Sequence, residues 1–202
     1  MLETFAVAIV RASQWLSLSR LSGVFRTRYT HAVFMEVYVL TFSAILTILI
    51  NVAIRGAWWC AGVAAYRIFD ITSYRIYFLL VKSRRQSWDG TLIRRSLLIV
   101  FVNLYELVVA FGILYIVSGE LMRGGTLVTD PMTAAYFSAV TIATLGYGDI
   151  TPTGHLSRVV VCCEITSGIV MLTFIVPALL ALFAPGAAVP PPDEKGKSRG
   201  SQ

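Results

Sequence analysis

The chain has 202 residues, of which 56% are hydrophobic and only 14% are charged, and its formal net charge is +6. A soluble domain averages about 25% charged residues, so this chain has too few charges to cover a water-exposed globule of its size. The composition also excludes disorder for most of the chain, and three cysteines are too few for a disulfide-rich secreted scaffold. The basic residues lie in blocks between apolar runs, which indicates a membrane protein with several spans rather than a nucleic-acid-binding protein.

Residues 1–31 precede the first long apolar run. Trp15 lies between Arg11 and Arg20, a pattern typical of a helix at the membrane interface. A disordered segment and a simply packed one are equally compatible with this stretch. No basic residue precedes Arg11, which argues against a secretory signal. We therefore expect a cytoplasmic or interfacial N-terminal segment.

Residues 32–81 contain two candidate peripheral spans. The first, 32–54, exceeds the roughly 20 apolar residues that a spanning helix needs. The second is also long enough, but each charge at the centre of a span costs about 2.5–3.5 kcal/mol, and it contains three such residues: Arg67, Asp70 and Arg75. We predict that it spans with the help of neighbouring helices. A helix that lies along the membrane surface is the alternative.

Residues 82–95 form a basic linker before the third candidate span, 96–118. Basic segments stay on the cytoplasmic side, so the linker and the N-terminal segment should both be cytoplasmic, with two crossings between them. At about 1.5 Å per residue, Glu106 lies roughly 15 Å into the membrane, near the depth of Asp70. Intramembrane charges need partners, and we expect Arg67 or Arg75 to pair with Glu106. Static pairing fits these residues better than voltage sensing, because arginines do not recur at every third position.

A short apolar helix is predicted at 131–143, with Asp130 as its N-cap and Pro131 in its first turn. It is too short to span a bilayer, and it runs into a stretch where two glycines alternate with Tyr147. Irregular backbone at membrane depth is tolerated only where protein buries it or water reaches it. Residues 144–149 are therefore predicted to line a pore.

The stretch 144–149 reads T-L-G-Y-G-D and resembles the selectivity filter of potassium channels, whose usual pattern is T-V-G-Y-G-D. The resemblance implies that carbonyl oxygens replace the hydration shell of K⁺, and carbonyls can point one way when alternate residues have positive φ, which glycine adopts readily. It assigns Asp149 to support of the filter, and we expect Thr141 to support the filter as well. It assigns K⁺ coordination to five residues: Thr144, Leu145, Gly146, Tyr147 and Gly148.

The last apolar run is predicted to be the inner helix, 157–184. By resemblance, Gly168 is a gating hinge and Pro177 a kink, which a proline inside a helix produces. Helical phase turns three apolar side chains toward the cavity: Ile169, Leu172 and Val176. Glu164 lies one turn before Gly168, and either a hydrogen bond to the pore helix near Thr141 or contact with water would satisfy it.

Together these features predict an all-α membrane protein with four transmembrane helices and a re-entrant pore helix. The resemblance extends over 96–184 and implies a homotetramer that conducts K⁺ through a cell membrane, surrounded by lipid. A non-selective cation channel, a subunit of a potassium uptake system and a non-conducting scaffold are the alternatives. The sequence contains no pattern of an enzyme and none for a cofactor. Short loops suit a bacterial inner membrane, with both termini cytoplasmic and a disordered tail at 185–202.

Overall fold

The computed structural model describes residues 28–53, 57–78 and 90–183. Helices dominate this part of the chain, and a small sheet is inserted between the third and fifth of them. The helices are α1 (Arg28–Ala53), α2 (Trp58–Tyr77), α3 (Gly90–Ser118), α4 (Pro131–Ile142) and α5 (His155–Phe183). The strands are β1 (Leu121–Arg123), β2 (Thr126–Leu127) and β3 (Ile150–Pro152).

Three of the described helices are long and apolar enough to cross a membrane, through Glu36–Ala53 in α1, Leu97–Ser118 in α3 and His155–Pro177 in α5. They account for the high share of hydrophobic residues and indicate a membrane protein built from helices. The α2 helix is 20 residues long, but its three charged residues lower its hydropathy. Its crossing of the membrane therefore stays a prediction.

The α3 helix lies at the centre of the chain and contributes to two apolar cores. Leu107 and Phe111 are buried in a core that α3 forms with α4, α5 and the sheet. Ala110 and Ile113 are buried in a second core, against α1 and α2. Because successive residues of a helix point about 100° apart, one helix can cover both neighbours. Helices α4 and α5 thus pack against one side of α3, and helices α1 and α2 pack against another side.

The sheet joins the loop after α3 to the chain after residue 149. Its order is β2-β1-β3 and all pairs are antiparallel, with Arg123 opposite both Thr126 and Ile150. Gly124 and Gly125 form the two-residue turn of the β1–β2 hairpin, with φ of 55° and 83°. Two consecutive positive φ angles are the geometry of a type I′ turn, for which glycine is favoured. The sequence analysis did not predict this sheet, because strands of two or three residues leave no alternating pattern.

The observed helix ends differ from the predicted ones in one important place. The α3 helix begins at Gly90, so the last residues of the predicted linker 82–95 are its first turns. A helix satisfies its own backbone hydrogen bonds and can continue from a membrane into water. The pore and inner helices, predicted at 131–143 and 157–184, run over Pro131–Ile142 and His155–Phe183. Residues 1–27, 54–56, 79–89 and 184–202 lie outside the described residues, and these include most of the predicted N-terminal segment, most of the linker 82–95 and the tail 185–202.

Candidate functional site

The α4 helix begins with a side-chain cap. The Asp130 carboxylate accepts hydrogen bonds from the Thr133 hydroxyl at 2.7 Å and from the Thr133 backbone N–H at 2.8 Å. These two bonds lower the pKa of Asp130 below its ordinary value. Pro131 occupies the first turn, where its missing N–H costs nothing. The start of the short helix is therefore determined by local sequence.

The α4 helix ends in a Schellman motif that leads directly into residues 144–149. The Leu145 N–H donates to the Val140 carbonyl at 2.9 Å, and the Thr144 N–H donates to the Thr141 carbonyl at 3.0 Å. These bonds satisfy carbonyls that a helix end leaves open. Thr144 has φ of 56°, in the left-handed position where such motifs usually place glycine. The first two residues of the filter-like segment are thus tied to the last turn of α4.

Positive φ angles alternate along the segment that follows. Thr144, Gly146 and Gly148 have φ of 56°, 55° and 75°, whereas Leu145 and Tyr147 do not have positive φ. Alternation of positive and negative φ can turn successive carbonyls to one side of the chain, which is the arrangement that a stack of oxygen rings needs. The side chains of Leu145 and Tyr147 are 56% and 65% exposed in the single chain.

Within the described residues, no group of three or more His, Cys, Asp or Glu side chains is placed to bind a metal ion. The oxygens offered by residues 144–148 are the backbone carbonyls and the hydroxyls of Thr144 and Tyr147. Carbonyl oxygens without a full charge suit a monovalent ion that must enter and leave quickly.

Asp149 is in contact with the first half of α4. Its carboxylate interacts with the Tyr136 hydroxyl. Desolvation of the Tyr136 side chain raises the pKa of this hydroxyl, and the nearby Asp149 carboxylate raises it further. Thr141, predicted with Asp149 as a support, donates its hydroxyl to the Phe137 carbonyl of its own helix at 2.8 Å. Asp149 therefore links the end of the filter-like segment to α4, whereas the hydrogen bond of the Thr141 hydroxyl stays within α4 itself.

Glu120 joins the sheet to the start of α5, a contact that the sequence analysis missed. Its carboxylate accepts from the Ser157 backbone N–H at 2.7 Å, and its carbonyl accepts from the Thr153 N–H at 3.0 Å. An acid at a helix N-terminus is favoured by the helix dipole. A Cβ added at Gly154 would lie 1.9 Å from the Glu120 carboxyl carbon. Gly154, two residues after the end of β3, was the sequence signal that could have indicated this close approach.

Glu164 is fully buried and has two hydroxyl partners. Ser138 of α4 donates to its Oε1 and Tyr115 of α3 donates to its Oε2. The sequence analysis left open a bond near Thr141 or contact with water, and the structure places Ser138, one turn earlier, against the carboxylate. Polar residues inside apolar helices were the signal for both partners, but no local pattern says which of them meet.

The α5 helix runs without interruption through Gly168 and Pro177. A Cβ added at Gly168 would lie 3.5 Å from the Ile142 carbonyl oxygen, so α5 lies close to the last residue of α4 at this point. Three side chains assigned to a cavity are about half exposed in the single chain, which leaves them available to line one: Ile169, Leu172 and Val176.

The charged residues of α2 form a buried cluster. Arg67 contacts Glu106 and Asp70, in each case with a 2.7 Å distance between a guanidinium nitrogen and a carboxylate oxygen. Ser43 of α1 also donates to Glu106, at 3.1 Å, and Tyr38 of α1 donates to Asp70 at 2.9 Å. Of the two arginines considered for Glu106, Arg67 is the one in contact. This cluster binds α1, α2 and α3 together.

Arg75 lies about two helical turns after Arg67 in α2 and is connected to Glu106 through Asn103. With the Asn103 amide oriented to satisfy both neighbours, its oxygen accepts from Arg75 Nη2 at 2.8 Å and its nitrogen donates to Glu106 at 3.3 Å. The Arg75 guanidinium carbon lies 5.2 Å from the centre of the Phe174 ring of α5, within the range of a cation–π contact. Arg75 thus links α2 to the inner helix rather than to Glu106 directly.

Comparison with known proteins supports this description of the second half of the chain. A family model described as Ion channel matches residues 99–184, which include most of α3, the sheet, α4 and α5. No curated protein and no solved structure matches. The α1 and α2 helices lie outside the matched segment. Residues 99–184 therefore form an ion channel domain, as the resemblance to potassium channels implies, in a protein with three helices apolar enough to span a membrane.

Proposed function

We propose that this protein conducts K⁺ selectively and passively through a homotetrameric pore in a cell membrane. The observation that supports the proposal most strongly is the alternation of positive φ at Thr144, Gly146 and Gly148, directly after a short capped helix. Such a backbone presents a row of carbonyl oxygens, which can replace the water shell of K⁺ without the full charge that would trap the ion.

One chain supplies only one part of each oxygen ring, so the proposal requires several copies around an axis. In the single chain, a Cβ added at Gly146 or Gly148 would have no neighbour within 4 Å, and Tyr147 is 65% exposed. These surfaces are the ones that adjacent subunits would cover. Four copies are what the resemblance to potassium channels implies.

The half-exposed row of α5 supports the same assembly. Ile169, Leu172 and Val176 follow one another at helical spacing and have 56%, 48% and 50% exposure. In a tetramer this face of α5 would line a cavity below residues 144–148. Gly168 and Pro177 lie in the same helix and are the proposed points of bending.

The proposed orientation has both termini in the cytoplasm, because the basic residues of 1–31 and 82–95 favour that side. It requires α2 to cross the membrane. Burial of Arg67 and Asp70 in mutual contact reduces the cost of that crossing, since a paired charge is cheaper to insert than an isolated one.

The test is reconstitution of the purified full-length protein in liposomes with a K⁺ gradient. We expect K⁺ flux that excludes Na⁺, is blocked by Ba²⁺ and falls in Thr144→Ala. Thr126→Ala is the matched control, because the Thr126 hydroxyl is exposed and donates to the Arg123 carbonyl of the same hairpin, at 2.7 Å. Equal K⁺ and Na⁺ flux would show a non-selective channel, and a purified monomer without flux would refute the proposal.

A further inference from the structure

Glu164 is the point at which α3, α4 and α5 are joined by side-chain hydrogen bonds. Its two carboxylate oxygens accept from Ser138 of α4 and Tyr115 of α3. All three side chains have 0% exposure. Tyr115 also makes an edge-to-face contact with Phe137 of α4, with ring centres 5.0 Å apart. The carboxylate therefore holds α4 against both long helices of the ion channel domain.

This carboxylate is stabilised by hydroxyl groups rather than by a cation. In the part of the chain that the structure describes, no basic side chain forms an ion pair with Glu164. A buried carboxylate is costly without a partner, and an apolar residue of similar size would fill the same space at lower cost. Ionisable residues inside membranes are functional candidates for that reason.

The position of Glu164 connects it to residues 144–148 through α4. Ser138 lies one turn before Ile142, the last residue of α4, and Gly168, one turn after Glu164, contacts Ile142. One face of α5 thus holds α4 at two successive turns. The Schellman bonds of Thr144 and Leu145 then join the last turn of α4 to the filter-like segment. A displacement of α4 would move the first carbonyls of that segment with it.

We propose that Glu164 is a positioning residue for K⁺ discrimination: by holding Ser138 and Tyr115 it sets the position of α4, and through α4 the geometry of the carbonyls of residues 144–148. The inference rests on the proposed function. Selection between K⁺ and Na⁺ depends on the size and field of the oxygen cage, so a support that allows α4 to shift relaxes the cage.

The experiment measures K⁺ and Na⁺ flux of full-length variants in liposomes, together with the yield of the assembled protein. In Glu164→Leu the acceptors of two buried hydroxyls are lost, and we expect the K⁺/Na⁺ flux ratio to fall about tenfold in assembled protein, which corresponds to a loss of about 1.4 kcal/mol in discrimination between the two ions. Glu164→Gln should restore most of the ratio, because hydroxyls both donate and accept and can bond to an amide.

Two serines provide a matched control. Ser138 and Ser157 both have 0% exposure, but the Ser157 hydroxyl donates only to Gly154 at the start of its own helix, at 3.1 Å. We expect Ser138→Ala to lower the flux ratio and Ser157→Ala to leave it unchanged. In the double variant of Ser138→Ala and Glu164→Leu, the ratio should fall no further than in Glu164→Leu, because the two side chains act as one unit.

A wild-type flux ratio in assembled Glu164→Leu would overturn the inference and leave the proposed function intact, even if less protein assembled. If the wild-type protein itself conducts no K⁺ selectively, the proposed function fails. In that case, amide hydrogen exchange tests separately whether Glu164 holds α4 in position. Faster exchange of the amides of 131–143 in Glu164→Leu, reversed in Glu164→Gln, would support it, and unchanged exchange would overturn it.

Discussion

Two buried carboxylates, on neighbouring helices, are stabilised in opposite ways. Glu106 of α3 and Glu164 of α5 both have 0% exposure. Glu106 faces the peripheral helices and forms an ion pair with Arg67 at 2.7 Å. Glu164 faces α4 and accepts from two hydroxyl groups. The first carboxylate lies where the peripheral pair docks, and the second lies behind the segment that we propose selects the ion.

The difference shows which interactions each region depends on. An ion pair compensates charge, so its loss leaves a buried charge without a counter-ion. Hydroxyl groups satisfy the hydrogen-bonding capacity of a carboxylate and fix its orientation. Their loss therefore changes the position of the helices that carry them more than it changes the charge balance. Loss of the ion pair in the peripheral region should therefore act mainly on stability, and loss of a hydroxyl partner of Glu164 should act on both stability and conduction.

Arg67→Ala should have the largest effect on stability. It removes the cation of Glu106, and breaking a buried pair costs about 3–5 kcal/mol. We expect a marked fall in the melting temperature of the detergent-solubilised protein, followed by circular dichroism. Arg123→Ala, which removes an exposed arginine of the hairpin, should leave it unchanged. Recovery in the double swap Arg67→Glu with Glu106→Arg would confirm the pairing, and a melting temperature equal to wild type in Arg67→Ala would refute its role.

Gly146→Ala should abolish most K⁺ flux at a smaller cost in stability. Gly146 has φ of 55°, and a side chain in the left-handed region costs about 1–2 kcal/mol, so the backbone would relax and turn its carbonyl away. The flux assay in liposomes measures this. Gly62→Ala is the control: Gly62 lies inside α2, a Cβ there has open space, and alanine favours a helix by about 1 kcal/mol. Unaltered flux in Gly146→Ala would contradict the assigned role of this segment.

Tyr115→Phe and Ser43→Ala compare the two carboxylates directly. Each variant removes one hydroxyl donor, from Glu164 and from Glu106 respectively. A side-chain hydrogen bond contributes about 0.5–3 kcal/mol, depending on the charge of its partners. Since Glu106 keeps Arg67, we expect Tyr115→Phe to lower the free energy of unfolding more than Ser43→Ala. Chemical denaturation measures both, and the reverse order would show that Glu164 depends little on Tyr115.

Asp130→Ala should have the smallest effect. The pKa of Asp130 is lowered from 3.8 by hydrogen bonds from Thr133, so the folded state favours the ionised form. This contribution is present at neutral pH and is lost as the pH falls through the lowered folded-state pKa. The difference in melting temperature between wild type and Asp130→Ala should therefore be small at pH 7 and vanish in acid. A difference that grows in acid would contradict the cap.

The short helix and the segment after it were predictable because their signals are local. An N-cap, a proline in the first turn and alternating glycines determine backbone conformation within a few residues. The helix predicted at 131–143 and the observed Pro131–Ile142 differ by one residue. The left-handed φ of Thr144 was not predicted, since a threonine usually avoids that region. It follows from the Schellman bonds at the end of α4.

The sequence did not predict which side chains form hydrogen bonds or ion pairs between different helices. Either Arg67 or Arg75 could have met Glu106, and the partner of Glu164 was left open. The observed bonds join residues 39 positions apart for Arg67 and Glu106, and 49 apart for Tyr115 and Glu164. The rotation and depth of each helix decide such contacts, and apolar periodicity specifies neither to within one turn.

Composition and local pattern alone determine that this chain belongs in a membrane, where its long apolar runs lie, and where a short helix stops at a pair of glycines. Packing of the helices decides that Arg67 neutralises Glu106, that Glu120 meets the start of α5, and that Ser138 and Tyr115 meet Glu164. Hydrophobicity and φ preferences are properties of single residues and their neighbours, and so can be read from the chain. A hydrogen bond between helices exists only once their relative position is set.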